Sequence, residues 1–201
     1  MREFDKDYFE GETSPINYES FSYRVTAWLR FRTLISILSD LNRKTGILVD
    51  VGCAFGDFIY KFSEKGYKAV GCDVSKWAIR KAKRLYPNID IILADVNALP
   101  FKEKTFDIVT MLETLEHCQK LNKVLEEISR IATANGLVIF SIPTTDLNDT
   151  QADKTHIWHL SLTEWLKIFE RKFRLVKIKY FLKNLKYINK KASNTFVVLQ
   201  T

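Results

Sequence analysis

The sequence predicts an α/β protein: a three-layer sandwich around a mostly parallel, seven-stranded sheet that takes an antiparallel strand at its C-terminal end. Three observations carry this. Strand-sized apolar runs alternate with amphipathic helices from Ile47 to Ile142, the pattern of a parallel sheet covered on both faces. A turn of small residues, Gly52, Ala54 and Gly56, stands where the first strand passes into its helix, and such turns let a ligand approach the backbone at the carboxyl edge of an open sheet. The last two strand-like runs are joined by a short basic connection, which permits a hairpin.

Taken in order, Asp5 to Tyr23 is aromatic, polar and turn-rich, with Gly11, Ser14-Pro15 and Asn17 breaking any period, and reads as an irregular arm. From Arg24 to Leu41 the residues Phe31, Leu34, Ile35, Leu38 and Leu41 recur at steps of three and four, which makes an amphipathic helix. Strand Ile47 to Val51, helix Phe55 to Lys65, strand Lys68 to Cys72, helix Lys76 to Leu85 and strand Ile89 to Leu93 follow. Strand Phe106 to Met111, helix Leu121 to Thr133 and strand Gly136 to Ile142 continue the alternation. Gly66, Pro87 and Asn135-Gly136 fall where these helices should stop. A polar loop then runs from Thr144 to Trp158, before a helix from Leu162 to Phe169 and the strands Leu175 to Leu182 and Asn194 to Leu199. Residues 1–45 are expected to form an arm and helix that act as a lid, and residues 46–201 a Rossmann-like domain, the whole being one domain.

At 201 residues, 46% hydrophobic and 13% aromatic, the chain has enough apolar material for one sizeable core. Its longest apolar runs, Ile47 to Val51 and Leu137 to Ile142, fall far short of the roughly 20 residues that span a bilayer. The first residues are charged rather than apolar, and Cys53, Cys72 and Cys118 form no CxxC pair. A cytoplasmic protein with reduced cysteines is expected. Lysine and arginine number 31 against 24 acidic residues, a formal net charge of +7. The excess is concentrated from Lys167 to Lys191, either as a face for anionic partners or as an ordinary solvated surface.

Charge also bears on the ligand of the glycine turn. Asp50 stands two residues before Gly52, and Asp57 occupies the position of the third glycine in a dinucleotide fingerprint. A pyrophosphate prefers bare amides there, whereas a ligand carrying an ammonium and a sulfonium is favoured by carboxylates. This points to S-adenosylmethionine over NAD. Asp73, about 20 positions on, can accept from both ribose hydroxyls. Asp95 can accept from an adenine amino group while the Val96 amide meets a ring nitrogen. A turn or cap role accounts for any one of these aspartates, but three at successive strand ends suit a single site.

The stretches VDVGCAFGDF, AVGCDVS, ADVNALPF, FDIVTMLETLEHC and GLVIFSIPT resemble the class I S-adenosylmethionine-dependent methyltransferases, particularly the group that looks like the ubiquinone-biosynthesis methyltransferases. The resemblance covers Ile47 to Thr144 and extends more weakly through His159-Leu-Ser-Leu162. It implies that Gly52, Ala54 and Gly56 line the methionine part of the cofactor, that Asp73 and Val74 hold the ribose, that Asp95 and Val96 hold adenine, and that Leu112 lies beside the cofactor. It places His117 on the cofactor side or as an anchor of its loop. Ala54 stands where the commonest pattern has glycine, a departure of one methyl group.

Methyl transfer needs alignment above all, and a base only where the acceptor retains its proton. His156 and His159 are candidates for such a base, or for structural hydrogen bonding. Their spacing does not make a metal site, because no third ligand accompanies it in the sequence, and no metal is expected. The aromatic arm, with Tyr8, Phe9, Tyr18, Phe21 and Tyr23, is either a lid or simple packing. The expected function is methyl transfer to a small-molecule acceptor. The alternatives are an RNA or protein methyltransferase using the basic C-terminal face, and a non-catalytic cofactor-binding subunit.

Overall fold

The structure, a computed structural model, describes residues 4–181 apart from 13, 15–16, 148–150 and 152, together with residues 194–201. Leu182, Lys183, Lys186, Lys190 and Lys191 of the expected C-terminal strand and basic run lie outside the described residues.

The N-terminal arm is more regular than its composition suggests. Helix α1, Lys6–Glu10, starts where the Asp5 carboxylate accepts from the Asp7 and Tyr8 amides and ends at Gly11 in the left-handed region, φ 85°. Helix α2, Phe21–Asp40, begins three residues earlier than expected because Ser20 Oγ accepts from the Tyr23 amide at 3.1 Å. The reading of residues 5–23 as irregular is therefore corrected: an aspartate cap and a closing glycine make a helical turn even where no period can accumulate.

Beyond the arm the alternation holds. It runs β1 (Ile47–Val51), α3 (Asp57–Glu64), β2 (Lys68–Asp73), α4 (Lys76–Leu85), β3 (Asp90–Leu93), β4 (Phe106–Leu112), α5 (Leu121–Ile131) and β5 (Ala132–Ile142). Then come α6 (Leu162–Phe169), β6 (Arg174–Tyr180) and β7 (Thr195–Gln200). The seven strands form one sheet in the order β3-β2-β1-β4-β5-β7-β6. Its first five strands pair in parallel, and β7 runs antiparallel to both β5 and β6. This is the Rossmann-like architecture expected.

Alternation along each strand divides the core in two. Val49, Val109, Met111 and Phe140 face α5 and α6, where Ile128, Trp165 and Phe169 are fully buried. Leu48, Ile108, Ile139 and Val198 face the other layer, with Leu34 and Leu38 of α2 and Ile59 and Phe62 of α3. Helix α2 thus belongs to a layer of the sandwich as well as to the N-terminal segment. Among the described residues no helix is long and apolar enough to cross a membrane.

Candidate active site

The strand order reverses between β1 and β4, and a ligand in an open α/β sheet belongs in the crevice outside the strands' carboxyl ends at that point. A cavity of about 810 Å³ lies there. Its floor is the turn after β1. Gly52, Ala54 and Gly56 all take positive φ, at 77°, 47° and 75°. A side chain at Gly52 would bring Cβ to 2.3 Å from Thr114 Oγ1, and one at Gly56 would reach 2.4 Å from Ile89 Cδ1. At Gly52 the Thr114 side chain stands where a β-carbon would go, and at Gly56 the end of the Ile89 side chain would have to move, so with positive φ at both positions the turn presents backbone to the cavity. Gly56 sits behind it as the N-cap of α3.

Asp73, at the end of β2, stitches two turns together. One carboxylate oxygen accepts from the Ala54 amide at 2.9 Å and the other from the Ser75 amide at 2.8 Å. Each oxygen keeps a second lone pair for a hydroxyl in the cavity. Burial pushes the carboxyl above its usual range, opposed by the Ser75 and Ala54 amides. Asp50 is buried in β1, accepts from Thr110 Oγ1 at 2.6 Å, and is pushed up to about 7 by burial. Next to it the thiols of Cys53 and Cys72 are raised by burial, which suits inert packing.

Past β3, Asp95 Oδ1 accepts from both the amide and the side-chain nitrogen of Asn97. Asn97 Oδ1 is buried without a hydrogen-bond partner in the same wall as Val96. An acceptor left unsatisfied in a cavity fits an exocyclic amino donor such as that of adenine. The donor set as a whole also fits S-adenosylmethionine: carboxylates for cationic and hydroxyl groups, bare backbone where the ligand must come close, and an open acceptor for the base.

The remaining walls come from farther along the chain. Tyr8 and Phe9 of α1 pack over the turn, with Phe9 stacked on Trp77 at 5.6 Å and tilted against Phe55 at 5.2 Å. Ser14 Oγ donates to Asp153 Oδ2 at 3.2 Å, so the arm meets the loop after β5. That loop is tied down where the Ile157 and Trp158 amides donate to the Glu116 carbonyl and Trp158 Nε1 donates to the Cys118 carbonyl. These bonds bring His156 beside the short 3-10 turn Leu115–His117, with the His117 and His156 rings 4.9 Å apart.

The structure gathers Asp50, Gly52, Ala54, Asp73, Val74, Asp95, Val96, Leu112, His117 and His156 around the one cavity. His159 stands a ring farther back, 6.4 Å from His156, and is not among the residues at the wall. Three groups were not singled out from the sequence. Arg30 reaches the cavity from α2, 3.9 Å from Glu113. Glu113, at positive φ of 50°, is held by Ser141 and Asn194. Glu116 is fully buried. A signal existed, since an arginine inside an apolar helical face and two glutamates flanking Thr114-Leu115 are unusual in buried segments.

Residues 49–140 match the family model described as a methyltransferase domain. A malonyl-[acyl-carrier protein] O-methyltransferase of Hamiltonella defensa is 28% identical over 108 residues, 54% of this chain and 41% of that protein. A demethylmenaquinone methyltransferase of Renibacterium salmoninarum is 32% identical over 100 residues, 48% of this chain and 42% of that protein. The chain thus spans about two fifths of these relatives' length. A crystal structure from Pyrococcus horikoshii shares the fold, with a TM-score of 0.74 at 21% identity over 97% of this chain and 98% of that one.

Proposed function

From the match of residues 49–140 to a methyltransferase domain we infer that the whole chain is a class I S-adenosylmethionine-dependent methyltransferase acting on a small-molecule acceptor. The observation that carries the reading is the convergence of Asp50, Asp73 and Asp95, from three neighbouring strands, on one cavity floored by a glycine turn. The turn at Gly52, Ala54 and Gly56 cradles the methionine part, Asp73 and Val74 hold the ribose, and Asp95, Val96 and Asn97 hold adenine. Leu112 and His117 close the cofactor's flank. When bound, the cofactor supplies an electrophilic methyl carbon.

The chain's own residues then bind the acceptor, orient it and keep water out. Residues 1–45 act as the lid: Tyr8, Phe9, Tyr18 and Tyr23 give the cavity an apolar roof. His156, at the wall, orients the acceptor or takes its proton. His159, behind it, acts as a positioning residue. The two relatives are named for acceptors of different chemistry, which supports the reaction class without choosing an acceptor. A cytoplasmic location is part of the same reading.

Calorimetry with S-adenosylmethionine, its demethylated product and NAD, followed by an acceptor screen with labelled cofactor, tests this. Micromolar binding of the first two is expected, and Asp73→Ala should weaken it by about 1.5–3 kcal/mol, as for hydrogen bonds to a charged group. Binding of NAD alone, or unaltered binding by folded Asp73→Ala, would overturn the assignment. Binding without turnover on any acceptor class would leave a cofactor-binding subunit.

A further inference from the structure

The fold supplies what the histidine spacing lacks. One carboxylate oxygen of Glu116, a ring nitrogen of His117 and a ring nitrogen of His156 all lie within 4.8 Å of one another. Glu116 comes from the turn after β4 and His156 from forty residues later, so the set is invisible as a sequence pattern. We propose that Glu116, His117 and His156 form a binding site for one divalent metal ion of the zinc class, open toward the cavity.

A second observation points to a cation independently of the grouping. Both carboxylate oxygens of Glu116 are buried and accept no hydrogen bond, and His156 Nε2, at 3.9 Å from Oε1, is beyond hydrogen-bond reach. A buried carboxylate that nothing satisfies costs several kcal/mol. Asp153 adds to the demand, since its Oδ2 lies 4.0 Å from His156 Nε2. A bound dication compensates these groups directly. Two imidazoles and one carboxylate are a donor set that zinc uses in open sites, with the fourth position left to an exogenous oxygen. Donors about 2.0–2.2 Å from one ion stand roughly 3–3.6 Å apart, so small side-chain rotations complete the site. The surroundings already orient it: Thr155 Oγ1 is 3.0 Å from His117 Nδ1 and donates to Asp153 Oδ1 at 2.6 Å. Such a layer of partners fixes ring orientation at metal sites. His117 and His156 line the cavity, so the open position faces the acceptor's space. A loaded site gives His156 a ligand's role in place of the proton acceptor's role proposed above.

The test is metal uptake by the full chain after chelation, and it does not depend on methyl transfer. Zinc titration should give about one ion per chain, and cobalt should give the visible absorption of an open four-coordinate site. Glu116→Gln and His156→Gln should each weaken zinc binding by more than about 100-fold, since even supporting residues cost about 10–100-fold. Thr155→Val should cost about 10-fold. Absence of stoichiometric zinc and cobalt binding in the wild-type chain would overturn the proposal and assign Glu116 a proton instead. Undiminished binding in folded Glu116→Gln or His156→Gln would overturn it equally. Should the ligand variants not fold, the wild-type stoichiometry, the cobalt spectrum and the Thr155→Val affinity decide.

Discussion

The floor and the roof of the cavity are built differently. On the floor, Asp73 and Asp95 each accept from an amide two residues on, at Ser75 and Asn97, the turn after β1 is set by its own positive φ values, and the longer links, Asp73 to the Ala54 amide and Asp50 to Thr110, run between neighbouring strands of the sheet and their turns. In the roof, side chains meet across long sequence distances, as in Phe9 on Trp77, Ser14 on Asp153, and Tyr8 against His117 at 6.1 Å. A floor of this kind is preorganised by the sheet and can recognise one ligand invariantly. A roof of side chains can be exchanged without disturbing the sheet, which is how one fold serves many acceptors.

The largest expected effect breaks the two apart. Deleting residues 1–20 removes α1, its ring contacts and the Ser20 cap of α2, while leaving the body of α2 and both halves of the core in place. Tyr8 and Phe9 are buried, but ordering the segment costs about 1–2 kcal/mol per residue, so the net loss of stability should be a few kcal/mol. For a chain of this size that is about 5–10 °C in melting temperature. Methyl transfer, on whatever acceptor the screen identifies, should fall by more than about 100-fold, because positioning and water exclusion are lost together. Full activity in the truncated protein would make the arm packing alone.

A smaller effect tests the floor through its charge. Asp50 is pushed up to about 7 by burial, with Thr110 opposing and Asp73 adding to the rise. Between about pH 4, the unfolded carboxylate range, and pH 7 the unfolded chain releases this proton while the folded chain keeps it. Its relative contribution to stability is therefore fully present below that window and lost as pH rises through it. Asp50→Asn should match the wild type at low pH and exceed it at pH 8 by up to about 4 kcal/mol, the equivalent of about three pKa units. Urea unfolding at pH 4 and pH 8 measures this. The cofactor's cationic end selects the ionised carboxylate, so its affinity should rise from pH 6 to pH 8 in the wild type and stay flat in Asp50→Asn. Parallel pH profiles for the two proteins would remove Asp50 from the site's electrostatics.

The same division explains what was legible in the sequence. Helix α4 has the expected limits because Ser75 caps it and Pro87 lies just beyond. The floor residues were readable for the same reason, each lying in a motif whose physics is local. Strand β5 begins at Ala132 rather than Gly136, since Ala132 pairs with Phe106 across a register shift, and Asn135 passes through φ 63°. Such a bulge depends on the neighbouring strand and leaves little mark in the sequence. Helix α1 is too short for periodicity to detect. Arg30, Glu113 and Glu116 stand out along the chain only as charges in apolar segments; that they share one place shows only when α2, β4 and the loop after β5 come together.

The smallest effect sharpens the claim that the floor is backbone. Ala54 adopts φ 47°, a left-handed conformation that costs an L-residue with a β-carbon about 1–2 kcal/mol. Glycine removes that strain but gives the unfolded chain more freedom, worth about 0.4–1 kcal/mol in the opposite direction. The Ala54 amide still donates to Asp73 in either case. Ala54→Gly should therefore stabilise the protein by about 0.5–1 kcal/mol, or roughly 2–3 °C, and change cofactor affinity by less than about twofold, under 0.5 kcal/mol. The methyl group does touch the aromatic cluster of Tyr8, Phe9 and Phe55, and this is where the outcome separates two pictures. Stabilisation with constant affinity means that the arm rests on the turn without being needed to shape it. Destabilisation by about 1 kcal/mol, near the value of one buried methylene, means that the methyl contact outweighs the strain, so that floor and roof are one packed unit and the alanine is what joins them.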